Sequence, residues 1–586
     1  MLQTMLSRRS HSCTLRLFRF SSSSGKKETP RELNKMIVAR ERDSERLLDL
    51  TVAHVMSFDA VNFGTLFNRL QRLRRREISR DVRFLECVAQ LERMCMEEPS
   101  KSAKKFSAFS CAMIAHGLGY FNVYSEPFFR MIDDVRVSKR LVDEGQPQSL
   151  SSTSVALAKI KVGNQLAFRV ERFEGRSATI KKGTHKIPNY LNAVDLRGVD
   201  KLFRDRKVQS VSNTLHSFAV LNAPFPNLAR RAENDEKFLN CVMNLGSAQE
   251  ISMILWAMTT MGYEAPNFID QLSRNPNSFY FDKKGIIPSN LSALAVSLAM
   301  QGRWEESAPI LDALSKNVVR RNGVLDDLIE NVKFRGNKSR KSATYNFQST
   351  LHDVIGIAWG LTIASPGIAE EEGAQRLEAV MELRQFALEN YPQNSWNVKD
   401  ATQLRQLESF LLMEGIDIGE RLTNFKTFTN EVYADQRESG FERFVSEALN
   451  EIGFQHEREV YPFPSTLGWK TGDKKSFAID IANREKRIAI EVDGPFHFLS
   501  NVNEKHRNTG RPSGTTMAKK RLLESLGWRT FNYSYLEHRD IIKHVAEGVA
   551  DTTNEIAVQE YWKNRLQRAG VLLGLPLRNS GGMGGS

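Results

Sequence analysis

The sequence predicts a mostly α-helical protein, an α-solenoid of repeats about 40 residues long over residues 30–435, followed by a small α/β module over residues 438–548. Three observations carry this expectation. Helical segments recur at a fixed offset in the first part. After about residue 436 the hydrophobic period changes from that of helix alone to a mixture of helix and strand. No uninterrupted apolar run approaches the roughly 18 residues that a membrane span needs, so no span is expected. The chain has 586 residues, 41% hydrophobic and 26% charged, enough for more than one core.

The first 27 residues, MLQTMLSRRSHSCTLRLFRFSSSSGKK, carry Arg8, Arg9, Arg16, Arg19, Lys26 and Lys27 and no acid. Arg and Ser interleaved with Leu and Phe make the composition of an organellar transit peptide, and an acid-free basic helix would suit import into the mitochondrial matrix. The same charges would also serve a basic arm on nucleic acid. Arg19-Phe20-Ser21 resembles a matrix-protease cleavage site. Without those six charges the net charge of +13 falls to +7, a mild basicity that permits contact with phosphate. Cys13, Cys87, Cys95, Cys111 and Cys241 are widely spaced and form no Cys-x-x-Cys pair, which argues against a zinc site or a disulfide framework and fits a reducing compartment.

The repeats show on sliding the chain against itself. VSNTLHSFAVLN (Val211 to Asn222), ISMILWAMTTMG (Ile251 to Gly262) and LSALAVSLAMQG (Leu291 to Gly302) lie at successive offsets of 40. Apolar residues match at Val211/Ile251/Leu291 and Phe218/Met258/Leu298, and all three segments end in Asn or Gly, the residues that close helices in the left-handed conformation. Related segments begin at Ala60, Phe106 and Leu351, while the stretch from Asp143 to Lys207 breaks the period. A unit of two helices cannot bury its apolar face alone, whereas stacked units can. Between residues 303 and 350, Arg335, Lys338, Arg340 and Lys341 crowd a Gly/Asn/Ser context, read either as an RNA-facing loop or as a solvated linker. The pattern, above all Leu255-Trp-Ala-Met-Thr-Thr-Met-Gly-Tyr263, resembles the helical repeats of octotricopeptide-type and FAST-kinase-like organellar proteins.

In the carboxy-terminal module, Phe441, Phe444, Val445, Ala448, Leu449 and Ile452 recur at intervals of three and four, a helix that Gly453 stops. Residues 454–463 alternate as a strand should, and SFAIDIA (476–482) and RIAIEVD (487–493) read as a hairpin joined by Asn483-Arg-Glu-Lys486. A helix over about 515–526 and a strand over 528–533 complete the order αβββαβ. With period two, Ile488, Ile490 and Val492 point one way and Ala489, Glu491 and Asp493 the other. If the loop closes symmetrically, Asp480 faces Ala489 and joins the same side. Three carboxylates so placed repel unless a cation stands among them. Lys505, Arg507, Arg511, Lys519, Lys520 and Arg521 are near in sequence, and Gly494-Pro495 would bring His497 to the same edge.

The run EVDGPFHF, followed by Lys519-Lys-Arg-Leu-Leu-Glu-Ser-Leu-Gly-Trp528 and a closing strand, resembles the RAP domain of organellar RNA-processing proteins. That resemblance implies RNA binding, with the six basic residues just named as contacts, and mitochondrial RNA (mRNA or rRNA) or the mitochondrial ribosome as partner. The module also resembles the restriction-endonuclease-like fold of mismatch-nicking enzymes. That second likeness implies Asp480 and Glu491 as metal ligands, and Asp480, Glu491, Asp493 and His497 as catalytic residues. The residue two after Glu491 is Asp493 and not the lysine of the acid-x-Lys pattern, which sets hydrolysis in doubt unless Lys519 or Lys520 substitutes from the helix. The expected protein is an organellar RNA-binding factor in RNA processing, stability or translation. A Mg²⁺-dependent endoribonuclease and a structural subunit of the mitochondrial ribosome are the alternatives. No cofactor is expected apart from Mg²⁺ in the nuclease reading, and the glycine-rich end, 572–586, is expected to be disordered.

Overall fold

The computed structural model describes residues 28–96, 105–162, 189–276, 287–319, 347–391, 396–419, 439–463, 477–501, 511–546 and 553–572. The amino-terminal basic stretch, the Arg335–Lys341 cluster, Lys505 and Arg507, and the segment after 572 lie outside them. The chain divides into two compact units, one formed by the described residues up to 162 together with 189–193, the other by those from Val194 onward. Among the described residues, no helix is long and apolar enough to cross a membrane.

In the first unit, helices α1 (Ala60–Arg72), α2 (Ala108–Phe121) and α3 (Pro147–Val162) pack in sequence order. Their core is aromatic: Phe63, Phe67, Phe84 and Phe121 follow one another with ring centroids 4.9 to 6.2 Å apart. Cys87, Cys95 and Cys111 are buried there as free thiols.

The second unit holds the strict repeat. Helices α4 (Val208–Leu221), α5 (Ala248–Thr260), α6 (Pro288–Gln301), α7 (Phe347–Ile363) and α8 (Val398–Met413) lie side by side, each against the next. The expected terminators are in place, with Asn222, Gly262 and Gly302 at φ of 54°, 71° and 65°. After α4 and α5 comes a second helix with proline in its first turn, Pro226–Asn234 and Pro266–Arg274. Proline suits that position because its missing N–H has no partner in a first helical turn. Hydrogen bonds then repeat from unit to unit. Phe225 N–H donates to the Tyr263 hydroxyl at 3.2 Å, and Ala265 N–H donates to Gln301 Oε1 at 3.1 Å. Asn227 and Asn267, one period apart, donate side-chain N–H groups to Asp195 Oδ2 at 3.0 Å and to the Glu233 carbonyl at 3.2 Å. Burial pushes the Glu233 carboxyl up to about 7.

The carboxy-terminal part keeps the anticipated order, with a short two-stranded ribbon where a loop was expected, and then continues. Helix α9 (Gly440–Glu451) leads to strands β1 (Glu457–Val460), β2 (Ile479–Asn483) and β3 (Ile488–Asp493), a short ribbon of β4 (Phe498–Leu499) and β5 (Arg511–Pro512), helix α10 (Gly514–Ser525) and strand β6 (Arg529–Ser534). The sheet order is β1-β2-β3-β6, antiparallel except for the parallel β3–β6 pair that α10 connects. Beyond the expected elements, α11 (Tyr535–Ala546) and α12 (Asn554–Arg568) follow. Helix α12 is structural, since Val558, Trp562 and Leu566 join Val445, Leu449, Ile488, Ile490 and Val492 in one core. Burying a side chain of this kind contributes about 1.5–3 kcal/mol.

The hairpin register differs from the symmetric closure drawn from sequence. The turn is Arg484–Arg487, not Asn483–Lys486, and Ala482 pairs with Ala489 rather than facing Arg487. Asn483 decides this, because its side-chain Oδ1 accepts from the Lys486 N–H at 2.8 Å, while Arg487 takes φ of 48° to re-enter the sheet. A shift of two preserves the parity of faces. Continued by two residues, this register sets Asp480 opposite Glu491.

The module is seated on the ends of the repeats. Ser500 N–H donates to the Gly262 carbonyl at 2.6 Å, Glu264 N–H to the Ser500 carbonyl at 3.0 Å, and Arg511 Nη2 to the Gly302 carbonyl at 2.8 Å. Gly514, opening α10, lies so close to α6 that a Cβ there would stand 1.7 Å from the Ala299 carbonyl oxygen. Gly514→Ala is therefore expected to destabilise the second unit by about 1–3 kcal/mol or more, seen as a lower melting temperature of the full chain. A substitution at the open Gly440, where nothing lies within 4 Å of a Cβ, is the control.

Candidate functional site

Strand β3 is buried along its whole length, so its two carboxylates are enclosed: Glu491 is 3% exposed and Asp493 2%. Burying charge without a partner is costly, and the partner comes from the middle of α10. Lys519 Nζ donates to Glu491 Oε2 and, at 2.7 Å, to the Ala478 carbonyl. Leu522 and Leu523 on the same helix are fully buried, which holds the lysine in place. Asp480 accepts from the Val492 N–H at 2.8 Å. Asp493 accepts from Asn532 Nδ2 at 2.7 Å through one oxygen and lies 2.9 Å from His497 Nδ1 through the other. The turn Pro495–His497 brings the histidine back to this edge, as Gly494-Pro495 suggested.

The four residues expected to act together thus do come together, around a cation the sequence required but could not single out. Burial pushes the Glu491 carboxyl up to about 8 against the pull of Lys519, and the neighbouring Asp480 and Asp493 add to the rise. Burial depresses Lys519, but the carboxylates outweigh it and hold its pKa above the ordinary lysine value.

A divalent metal, which the nuclease likeness implied at Asp480 and Glu491, does not fit this arrangement. The Lys519 ammonium sits on Glu491, a backbone N–H holds Asp480, and both oxygens of Asp493 are engaged. Among the described residues no group of three or more His, Cys, Asp or Glu is disposed to hold a metal ion.

The basic candidates also separate. Lys519 is the internal counterion. Arg511 bonds Gly302, and its backbone N–H donates to Glu264 Oε1 at 3.2 Å. The Arg521 guanidinium lies 5.1 Å from the ring centroids of both Trp304 and Phe410, and burial lowers its pKa. Lys519, Arg511 and Arg521, expected to face RNA, are half-buried and each has a partner within the protein. Lys520, half exposed and 3.8 Å from Glu524, remains open to solvent. Phe496, beside His497, is 90% exposed.

Lys519→Met, which leaves Glu491 buried without its cation, is expected to cost about 3–5 kcal/mol in chemical denaturation, and adding Glu491→Leu should restore most of it. The Glu491 carboxyl titrates about its ordinary 4.5 when unfolded and about 8 when folded, so between these values the folded state holds the extra proton. Its contribution to stability is present at low pH and falls as pH rises through that window. The wild type should accordingly lose more melting temperature than Glu491→Gln between pH 5 and pH 8.

Comparison with known proteins bears on the same segment. A RAP domain-containing protein, chloroplastic, from Oryza sativa subsp. japonica is 27% identical over 125 residues, 21% of this chain and 16% of that protein. Residues 490–546, which run from the middle of β3 through the charged cluster and α10 to the end of α11, match the RAP domain family, so the enclosed Glu491–Lys519 pair lies within a RAP domain, a module generally associated with RNA binding.

Proposed function

We infer that this protein binds organellar RNA along its helical repeats, with the RAP domain seated on the ends of successive repeat helices, and acts in the processing, stability or translation of mitochondrial transcripts. The observation that carries the reading is a ladder of accessible side chains repeated at the 40-residue period. On α4 they are Gln209, Asn213, His216 and Val220; on α5, Gln249, Met253, Trp256 and Thr260; on α6, Ser289, Ala293, Val296 and Met300. All twelve are exposed or half-buried, while the positions between them, apart from Glu250 and Asn290, are packed away. Solvent-accessible amides and rings at a fixed spacing suit the edges and faces of unpaired bases, which is how single-stranded RNA is read.

The rings of His216 and Trp256 lie 5.0 Å apart across adjacent repeats, and burial lowers the His216 pKa, which favours a neutral ring at physiological pH. Such a surface stacks bases rather than gripping phosphates. In the first unit, α2 shows the same spacing with Phe109, Met113, His116 and Tyr120 accessible, and burial together with Lys159 pulls His116 down to about 4. Kinship of these repeats with those of octotricopeptide-type and FAST-kinase-like proteins is part of this reading, resting on the motif at Leu255–Tyr263. The Arg- and Ser-rich, acid-free first 27 residues support delivery to the mitochondrial matrix.

Purified full chain should bind single-stranded RNA in fluorescence anisotropy, and His216→Ala with Trp256→Ala should weaken that binding by about 1–3 kcal/mol per lost stacked base with little change in its salt slope. Absence of RNA binding at low salt would overturn the reading. A fluorescent fusion of residues 1–27 that stays in the cytosol would remove the mitochondrial part.

A further inference from the structure

Between the sheet, α8 and the first turn of α10 lies a cavity of about 160 Å³, whose walls include Gln406, Phe477, Glu491, Asp493, His497 and Lys519. One atom of these lining residues is conspicuous on chemical grounds. Glu491 Oε1 is enclosed and accepts no hydrogen bond among the described residues, although its twin Oε2 is held by Lys519. Once Glu491 is ionised, as pH rises past about 8, a buried carboxylate oxygen without a donor is costly, and a ligand that brought an N–H to it would recover that cost. Beside it, Lys519 uses two of its three N–H groups on Glu491 and on the Ala478 carbonyl, which leaves one to offer. The cavity thus presents an acceptor next to a donor.

The occupant is narrowed by charge and shape. Asp480, Glu491 and Asp493 against one lysine disfavour a phosphate or any other anion, and the Lys519 ammonium on Glu491 opposes a second cation beside it. What remains is a neutral group with an N–H adjacent to an acceptor, flat enough to lie along Phe477. The pairing edges of nucleobases have this form: uracil N3–H beside O4, adenine N6–H beside N1, and guanine N1–H beside O6. Phe496, 90% exposed next to the lining residue His497, offers a second aromatic face outside, suited to a neighbouring base.

We propose that the Glu491–Lys519 cavity of the RAP domain receives one unpaired nucleobase, its N–H donated to Glu491 Oε1 and its acceptor met by Lys519, with the base belonging to RNA held by the repeats. This rests on the RNA-binding reading for the source of the base but not for its recognition. The test uses the full chain with free uridine, adenosine and guanosine, and with 3-methyluridine and N6,N6-dimethyladenosine, in which the donor is blocked while the ring remains. Saturation-transfer NMR reads the nucleosides, and anisotropy reads a homopolymeric RNA with and without 3-methyluridine.

At least one unmodified nucleoside should bind, its donor-blocked form should bind about tenfold more weakly or not at all, and Glu491→Gln should lose the discrimination. Phe496→Ala, which alters only an exposed ring, should weaken RNA about tenfold without lowering the melting temperature. Equal binding of blocked and unblocked forms, or no effect of 3-methyluridine on RNA that does bind, would overturn the cavity as a base site and leave the repeats as the RNA surface. Donor-dependent binding of nucleosides by a chain that binds no RNA would uphold base recognition and overturn RNA as the source.

Discussion

One lysine has to be inside this protein. Strand β3 is central in its sheet and covered on both faces, yet it carries Glu491 and Asp493, with Asp480 alongside. Carboxylates that close, away from water, are tolerated only where a cation is held among them, and Lys519 is that cation. It can do so because α10 crosses the sheet between the parallel strands β3 and β6, the connection that a parallel pair demands. The helix is consequently bound to the sheet by charge as well as by Ala518, Leu522 and Leu523.

The same helix ties the module to the repeats. Gly514 at its start meets the Ala299 carbonyl, and Arg521 two turns later lies between Trp304 and Phe410. A single element therefore answers two separate demands, the neutralisation of β3 and the closure of the repeat ends. The glycines that terminate successive repeat helices serve a second purpose here, because Gly262 and Gly302 turn their carbonyls to Ser500 and Arg511. In the left-handed conformation the chain bends away after the helix and leaves such a carbonyl free for an outside donor. A period set by helix packing thus becomes a docking pattern for an unrelated fold, and the cavity sits where the two meet.

Much of this was legible in the residues. The 40-residue offset, the Asn and Gly terminators, the strand alternation and the order αβββαβ are local features, decided by backbone preference and by which side chains shun water within a few residues of one another. The shared face of Asp480, Glu491 and Asp493 survived a register error of two, because side-chain direction depends on parity and not on the turn chosen. The turn itself was misread, since one side-chain hydrogen bond from Asn483 outweighed symmetric closure. Trp562 and its helix were missed because α12 is coded after the final strand and earns its place only by contact with α9 and the sheet.

The sequence by itself determined the alternation of elements, the faces they bury and the need for a cation beside a doubly acidic strand, because each follows from interactions between near neighbours along the chain. Only the tertiary structure decided which basic residue would be that cation, that Arg511 and Arg521 would find partners within the fold, and that Glu491 Oε1 would be enclosed without a donor among the described residues. Those outcomes depend on which distant segments exclude water from one another, and burial is a property of the assembled fold, not of any stretch within it.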